Sequence, residues 1–389
     1  MSTIDDLIKK HCPGGVPHVP LGDVAAYSPD RVRASDLNGE SFVGVDNLLP
    51  NKLGKVSAHY SANTKMLTGY RAGDVLLGNI RPYLKKIWLA DNSGGCSGDV
   101  LCIRPTGGFN GRVSSQFLYY LLSSDAFFLY NMQHSKGGKM PRGNKEDIMR
   151  YVIPVPPREV QDEIVRILDS FAELEVELVA ELEVRRRQYE YYRNWIFEDT
   201  DRRSPGGVPQ VQLGDVVQYE QPTKYLVCST EYDDSFPTPV LTAGQTFILG
   251  YTQEDEGICL ASSESPVIIF DDFTTDFKWV DFPFKAKSSA MKMLRAVDSS
   301  PVTLRFYYHL MGTVLRKPQE HSRQWRRVAS KIMVPSPPQE EQKEIVRILD
   351  SFKELEAELE AELEARRKQY EYYRDKLLTF KEAEPVKTA

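Results

Sequence analysis

Two stretches in the first half of the chain combine cationic, amide and aromatic side chains close to glycines. Side chains of these types bond to the edges of bases, and cations bind phosphate, so together they favour contact with nucleic acid. The second stretch is the glycine-rich SKGGKMPRG, whose missing side chains allow close approach of backbone to DNA. We predict as contacts Asn79, Arg81, Tyr83, Lys85, Lys86, Lys136, Lys139 and Arg142. A solvated charged surface is the alternative.

The second half of the chain carries its own set of cations. The candidate contacts there are Lys224, Lys278, Lys285, Lys287, Arg323, Arg326 and Arg327, and we expect Trp279 and Trp325 to pack inside the domain. Residues 13–155 contain 16 basic and 11 acidic residues, whereas residues 205–336 contain 13 and 15. The charge balance therefore favours nucleic-acid binding more clearly in the first half.

The net charge of −6 does not exclude nucleic acid, because local clusters decide such binding. The acidic excess lies in two segments: residues 156–204 have 8 basic and 13 acidic residues, and residues 337–389 have 10 and 14. These acidic faces could instead meet basic surfaces of partner proteins.

Motifs for catalysis are incomplete. Ser336-Pro337-Pro338-Gln339 has Gln339 where an amino-group methyltransferase motif has the aromatic ring that stacks on a flipped base. We find no glycine-rich loop for a methyl-donor nucleotide or a phosphate, and no spaced histidine pair for a metal. The acids of FDDFTTDF are typical of strand-end turns. We therefore predict no catalytic residue, cofactor or metal.

The five cysteines include no Cys-x-x-Cys pair, so neither a disulfide framework nor a zinc site is indicated. No stretch approaches the ~18 apolar residues of a membrane span, and acids stand near the N-terminus where a secretory signal is basic and then apolar. We expect a cytoplasmic protein with reduced, buried thiols.

The sequence contains an internal repeat. PGGVPHVPLGDV at 13–24 recurs as PGGVPQVQLGDV at 205–216, and the segment 156–194 recurs at 337–375 with 30 of 39 positions identical. Between these anchors the halves do not visibly match. Two divergent segments, each flanked by the same repeated segments, indicate two domains that recognise two different targets.

The near-identical segments predict two helices of about 40 residues, or roughly 60 Å. Apolar residues recur every three or four positions, as in a coiled-coil seam, so we expect the two helices to pack against each other antiparallel. The predicted seam consists of Ile164, Ile167, Phe171, Leu174, Leu178, Leu182, Ile345, Ile348, Phe352, Leu355, Leu359 and Leu363.

The triplets Arg185-Arg186-Arg187 and Arg366-Arg367-Lys368 allow two interpretations. They could touch phosphate, but acids three and four residues away favour ion pairs within each helix, or partner docking.

The variable segments have the pattern of mixed α/β domains. We predict strands at 73–79, 85–90 and 99–105 and a helix at 114–124 in the first. In the second, strands are predicted at 257–263, 265–273 and 277–289 and a helix at 303–317.

This doubled layout resembles the specificity (S) subunits of type I restriction-modification systems, over essentially the whole chain. The resemblance is carried by GDVLLGNIRPYLKKIWLA at 73–90, MPRGNKEDIMRYVIPVPPREVQDEI at 140–164, VIIFDDFTTDFKWVDFPFKAKSSA at 267–290 and HSRQWRRVASKIMVPSPPQEEQKEI at 321–345.

The resemblance implies an α/β fold with two mixed α/β target-recognition domains. They are separated by two long helices, packed as an antiparallel coiled coil, with a pseudo-twofold internal repeat. The implied boundaries are 1–155 and 201–336 for the recognition domains, 156–200 for the first helix, and 337–389 for the second helix and C-terminal tail.

The resemblance further implies a non-catalytic protein that reads a two-part target in double-stranded DNA. It would dock two adenine-methylating modification subunits and, in a full complex, two ATP-driven nuclease subunits. The alternatives are a stand-alone DNA methyltransferase or nuclease, which needs a cofactor motif that we do not find, and a coiled-coil scaffold without DNA specificity.

Overall fold

The chain forms two compact units in a computed structural model that describes residues 2–106, 113–203, 207–244, 246–318, 320 and 322–383. The first unit comprises residues 1–178 and 362–389, and the second comprises residues 179–361. Every described helix is too short or too polar to span a membrane.

The first unit is a mixed α/β domain. Its helices are α1 (Ser2–His11), α2 (Ser115–Leu122), α3 (Asp125–Gln133) and α4 (Lys145–Arg150), and its strands are β1 (His18–Pro20), β2 (Ala25–Tyr27), β3 (Arg31–Arg33), β4 (Phe42–Val43), β5 (Met66–Tyr70), β6 (Val75–Gly78), β7 (Ile87–Leu89), β8 (Gly94–Cys96), β9 (Val100–Pro105) and β10 (Val152–Pro154). The long helix α5 (Arg158–Arg203) follows. Two four-stranded sheets have the orders β2-β9-β6-β7 and β3-β5-β8-β4, and β1 pairs with β10.

The second unit repeats this plan. Its elements are β11 (Gln210–Gln212), α6 (Leu213–Val216), β12 (Val217–Glu220), β13 (Thr238–Leu241), β14 (Ile248–Thr252), β15 (Val267–Asp271), β16 (Phe277–Val280), β17 (Lys285–Ala286), β18 (Met291–Ala296), α7 (Pro301–Val314), β19 (Met333–Pro335) and the long helix α8 (Gln339–Leu377). The sheet order β12-β18-β15-β16 corresponds to β2-β9-β6-β7, a three-stranded sheet has the order β14-β13-β17, and β11 pairs with β19.

The two repeated sequence segments of each half pair with each other. In β1–β10, His18 lies opposite Pro154, and in β11–β19, Gln210 lies opposite Pro335. These residues are related by the offsets of the sequence repeat, 192 and 181, so the register is the same in both units. The variable segment of each half is therefore inserted between two paired strands.

The predicted elements of the first variable segment and its helix at 114–124 are confirmed by β6, β7, β9 and α2. In the second segment the prediction of a strand at 257–263 is wrong, because Cys259 and Ser262 form only isolated bridges. The stretch 277–289 contains two strands in different sheets, β16 and β17, with a break that includes Pro283, a residue that cannot donate a ladder hydrogen bond. The helix predicted at 303–317 is α7.

The long helices begin alike. After each Pro-Pro pair a buried glutamine bonds back to the first proline carbonyl, Gln161 Nε2 to Pro156 at 2.8 Å and Gln342 Nε2 to Pro337 at 2.9 Å. Near these ends the helices pack into the domain cores, since Leu168 and Leu349 are fully buried although the predicted seam omits them. Leu355, predicted in the seam, is exposed.

The remaining predicted seam residues are buried or partly buried: Ile164, Leu182, Ile345 and Leu363 are buried, and Ile167, Phe171, Leu174, Leu178, Ile348, Phe352 and Leu359 are partly buried.

Parts of α5 and α8 contact each other within each unit, and the contacts run antiparallel. In the first unit the ring of Phe171 stacks on Tyr373 with centroids 5.7 Å apart, and Arg367 Nε lies 2.8 Å from Glu175. The repeat-equivalent contacts recur in the second unit, where Tyr192 stacks on Phe352 at 5.4 Å and Arg186 Nε lies 2.7 Å from Glu356.

The basic triplets are divided between two uses. The outer residues pair within their own helix, as predicted: Arg185 with Glu181, Arg187 with Glu183, Arg366 with Glu362 and Lys368 with Glu364. The middle residues, Arg186 and Arg367, pair with the other helix, which sequence spacing did not indicate.

A repeated aspartate joins each domain to its long helix. In the second unit Asp350 accepts hydrogen bonds from Arg305 Nε and His309 Nε2, both at 2.8 Å. The repeat equivalent in the first unit, Asp169, accepts from the Tyr120 hydroxyl instead. Burial lowers the pKa of His309, although its hydrogen bond to Asp350 opposes the shift. The imidazole of the folded state therefore resists protonation.

We expect this histidine to make stability depend on pH. The folded-state pKa lies below the ordinary value of 6.5, so its contribution is complete above that pH and is lost as the pH falls from there toward the folded-state pKa. The difference in melting temperature between the wild type and His309→Gln should shrink between pH 7.5 and pH 5.5, as measured by circular dichroism. His59→Gln, at an exposed position, is the control. A difference that stays constant over this range contradicts the assignment.

Candidate nucleic-acid interface

Two candidate stretches that are far apart in sequence lie side by side in the first unit. The amide N–H of Arg81 donates to Pro141 at 2.8 Å, and the N–H of Gly143 donates to Asn79 at 3.2 Å. Lys136 and Arg142 exchange two backbone hydrogen bonds, at 2.9 and 2.8 Å, which close the glycine-rich loop between them. The structure thus brings the turn after β6 and the loop before α4 into one surface.

Two buried asparagine side chains meet Gly143 behind this surface. A Cβ on Gly143 would lie 2.3 Å from Oδ1 of Asn131 and 2.8 Å from Oδ1 of Asn79. Both asparagines are buried, Asn131 at 1% and Asn79 at 6% exposure. Their Oδ1 atoms have no hydrogen-bond partner among the described residues. A side chain at position 143 would therefore require these asparagine side chains or the loop to move.

The predicted contact residues of this surface are not equally available. Arg81 is half-buried, and its Nε has no hydrogen-bond partner among the described residues. Tyr83, Lys136 and Lys139 are exposed, and exposed Arg142 pairs with Asp99 at 3.1 Å. Lys85 is bound to Asp125 at 2.7 Å, and Lys86 donates to the Val45 carbonyl at 2.7 Å. These two ammonium groups therefore already have partners inside the domain.

The second unit joins the corresponding segments in the same way. The N–H of Gln324 donates to the carbonyl of Asp272 at 2.7 Å, as that of Gly143 does to Asn79. Here the carboxylate of Asp272 is buried and accepts from the N–H of Trp325 at 2.8 Å, with Lys292 Nζ at 3.5 Å. The same two segments thus form a surface with different chemistry.

Three of the predicted cations lie on this second surface and are exposed. These are Arg323, Arg326, which lies over the ring of Tyr219, and Arg327, which lies 3.6 Å from Glu320. Trp325 is buried as expected, and Trp279 packs on Tyr308 and Arg305.

The other predicted cations of this unit lie on β16, on or just after β17, or near β12. Lys285 is 3% exposed and pairs with Glu254 at 2.6 Å, so the proposal that it contacts DNA is withdrawn. Lys287 donates to the Tyr232 hydroxyl at 2.8 Å, and Lys224 pairs with Glu220 at 2.7 Å. Lys278 on β16 is exposed.

The predicted contact residues do not include three residues next to the first surface. Asn131 lies behind it, and the N–H groups of Asn51 and Lys52 donate to Leu84 and Lys85 in the turn after β6. Asn51 and Lys52 adopt left-handed backbone conformations with φ of 57° and 65°, which asparagine tolerates better than most residues. The Asn-Lys-x-Gly turn at 51–54 was the available signal. Asn131 lies within a helix and gave none.

Among the described side chains, no group of three or more histidines, cysteines or acids is arranged to hold a metal. Four cysteines are buried, but Cys228 is exposed, contrary to the expectation for it.

The model of a family described as the type I restriction modification DNA specificity domain matches residues 88–184 and 205–365. The chain therefore belongs to the type I restriction-modification DNA specificity family, and the resemblance inferred from the repeated segments is confirmed.

The particular similarities are consistent with this family. The chain is 55% identical over 186 residues to the EcoR124I/EcoR124II specificity subunit of Escherichia coli, a match that covers 46% of this chain and 46% of that relative. The match thus spans about half the length of that relative.

Two solved structures share the fold over nearly the whole chain. The type I S subunit of M. genitalium has a TM-score of 0.60 at 14% identity, covering 93% of this chain and 96% of that one. A chain from a type I restriction-modification system solved for its complex assembly has a TM-score of 0.55 at 18% identity, covering 94% and 98%.

We expect Gly143→Ala to separate the two segments of the first surface. The added methyl group overlaps the two asparagine side chains, so the free energy of unfolding should fall by about 1–3 kcal/mol. Gly138→Ala in the same loop is the control, because a Cβ there meets nothing within 4 Å. Urea unfolding followed by circular dichroism measures both, and equal stabilities for the two variants would contradict the packing described.

Proposed function

We propose that this chain is the DNA-recognition subunit of a type I restriction-modification complex and that it contributes no catalytic group itself. One observation carries the proposal. Each unit joins the same two chain segments by a backbone hydrogen bond, Gly143 to Asn79 and Gln324 to Asp272, yet offers different side chains there. Different surfaces on equivalent frames suit the reading of two different half-sites.

The recognition domains occupy residues 1–155 and 201–336. The repeated motif at 205–216 lies near the start of the second domain, and its residues 205 and 206 lie outside the described residues. Each domain reads one half of a bipartite target in double-stranded DNA, with phosphate contacts for affinity and base contacts for specificity.

The DNA-contact set of the proposal consists of polar and cationic side chains of the two surfaces, all exposed except Arg81, which is half-buried. In the first domain they are Arg81, Tyr83, Lys136, Lys139 and Arg142, and in the second Arg323, Arg326, Arg327 and Lys278. Asn79 shapes the first surface from below, since its side chain is buried.

The segments 156–200 and 337–389 form the spacer, with α5 and α8 as an antiparallel coiled coil between the domains under a pseudo-twofold repeat. The equivalent contacts Phe171–Tyr373 and Tyr192–Phe352 support this arrangement. The acidic excess of both segments suits the docking of two adenine-methylating modification subunits, and two nuclease subunits join them in a full complex.

The reaction catalysed by the complex tests the assignment. The chain alone should transfer no methyl group, whereas the chain with its modification subunit should methylate adenines in a bipartite site. Replacing residues 25–150 by the domain of another family member should change one half of that site and leave the other. Methylome sequencing of host cells reads both results. Methylation by the purified chain, or a change in both halves, would count against the proposal.

The spacing between half-sites should follow the length of the helices. One four-residue unit, Leu-Glu-Ala-Glu, is inserted after Leu178 in α5 and another after Ala361 in α8, so that the helix contacts within each unit are retained. Each insertion adds roughly 6 Å, and DNA rises about 3.4 Å per base pair. The unspecified spacer should lengthen by about one or two base pairs while both half-sites keep their bases.

The matched control is Val179→Glu, which installs the residue found at the equivalent position 360 without changing length. Its spacer should be that of the wild type. An active insertion variant with an unaltered spacer would show that the helices do not set the distance.

A further inference from the structure

One carboxylate in the first unit receives three cations from three separate parts of the chain. Oδ1 of Asp125, the first residue of α3, lies 3.0 Å from Lys52 Nζ and 2.7 Å from Lys85 Nζ. Its Oδ2 lies 3.1 Å from Nη2 of Arg374 on α8, an arginine whose side chain is 1% exposed. Arg374 also pairs with Asp375 at 2.8 Å. Asp125 therefore joins a loop, a turn and a helix.

Asp125 stays ionised in this setting. Burial opposes its ionisation, but the hydrogen bonds from Lys85 and Lys52 and the charge of Arg374 hold its pKa well below the ordinary value. Two ammonium groups share one of its oxygen atoms, so the carboxylate is the common anchor of both lysines.

Strained backbone is concentrated at the same place. Four of the six described non-glycine residues with positive φ are Asn51, Lys52, Arg81 and Lys85. The loop and the turn are also paired directly, with Asn51 N–H donating to Leu84 at 2.8 Å and Lys52 N–H to Lys85 at 2.9 Å. Left-handed conformations of such residues cost free energy and persist only where the surroundings hold them.

This turn carries the DNA-contact candidates. Arg81 and Tyr83 lie between β6 and Lys85, and the amide of Arg81 holds the glycine-rich loop through Pro141. Fixing Lys85 and Lys52 on Asp125 therefore fixes the backbone from which Arg81 and Tyr83 project.

We propose that Asp125 is a positioning residue for DNA recognition by the first domain. Through Lys52 and Lys85 it holds residues 81–85 in their strained conformation, and through Arg374 it ties them to α8. The proposal rests on the function proposed above. It makes Lys85 part of the support of the reading surface and assigns Lys52 to the same support.

Among the described residues of the second unit, the arginine that corresponds to Arg374 has different partners. The repeat equivalent of Arg374 is Arg193, whose guanidinium bonds to Asn194 and lies over the ring of Tyr189 at 5.3 Å. An effect of Asp125 should accordingly be confined to the half-site that the first domain reads.

A purely electrostatic role of Asp125 and a positioning role predict opposite changes in DNA affinity when Asp125 is replaced by asparagine. Asp125→Asn removes a negative charge beside candidate DNA-binding cations, so a purely electrostatic role predicts tighter binding and a steeper salt dependence. A positioning role predicts weaker binding, because the released lysines no longer hold the strained turn. Asp99→Asn, which frees exposed Arg142 on the same surface, changes the charge equally and is the matched control.

The experiment uses the full chain with its modification subunit and measures binding to duplexes altered in either half-site. The half-site of the first domain is the one that changes when residues 25–150 are exchanged. We expect Asp125→Asn to weaken binding by roughly tenfold or more and to lower discrimination at that half-site only. Asp99→Asn should bind as tightly as the wild type or tighter, and Asp125→Glu should recover part of the loss.

Binding by folded Asp125→Asn with unchanged or increased affinity and full discrimination at both half-sites would overturn the proposal. If that variant does not assemble, Lys52→Met removes one ammonium group while Lys85 and Arg374 remain. Reduced discrimination at the first half-site supports positioning, whereas a uniform loss with a lower salt slope makes Lys52 a phosphate contact and overturns it. A wild-type complex that binds DNA without half-site preference would instead refute the proposed function.

Discussion

The structure depends on a short antiparallel pairing that closes each variable segment. β1 pairs with β10 and β11 with β19, and the flanking bonds also repeat, from Val155 to Pro17 at 2.9 Å and from Ser336 to Pro209 at 2.8 Å. These bonds are made by the main chain, so they are indifferent to the residues enclosed between the strands. The same pair of strands can therefore enclose different variable segments, provided that the ends of the segment reach the two strands.

The frame continues into the long helices through similarly repeated contacts. At the start of each long helix a glutamine donates to the carbonyl of the first proline of the Pro-Pro pair. In each unit an aromatic pair stacks between the helices, and one arginine of a basic triplet pairs with a glutamate on the other helix. Each pair joins a half-exposed arginine to a more buried glutamate, and ion pairs near the surface contribute only about 0–1 kcal/mol each. Arg186 bonds to both Glu356 and Glu360, so the pairs hold parts of the two helices side by side within a unit.

The two domains then use charge differently on equivalent positions. The strand-end residue is a neutral asparagine, Asn79, in one domain and a buried carboxylate, Asp272, in the other, where Lys292 and the N–H of Trp325 compensate it. The repeated aspartate on the helix takes a tyrosine, Tyr120, in one unit and His309 with Arg305 in the other. Asp272, Asp169 and Asp350 find their partners within their own units, whereas Oδ1 of Asn79 has no hydrogen-bond partner among the described residues.

The sequence alone determined the repeat, the positions of the long helices, three strands of the first domain, and the family. Identity at fixed offsets and an apolar period of three to four are local properties, and they persist whatever the partners are. The triplet pairs within each helix were predictable for the same reason, since residues four apart on a helix are neighbours.

Only the tertiary structure decided which cations are free. Lys285 is buried against Glu254, Lys85 is held by Asp125, and Arg323 remains exposed, yet all three are basic residues near predicted strands or loops. The partner of a charged side chain can lie 40 residues away, as Asp125 does from Lys85, or 249 away, as it does from Arg374. Such pairs depend on where distant segments meet, and no local pattern records that meeting.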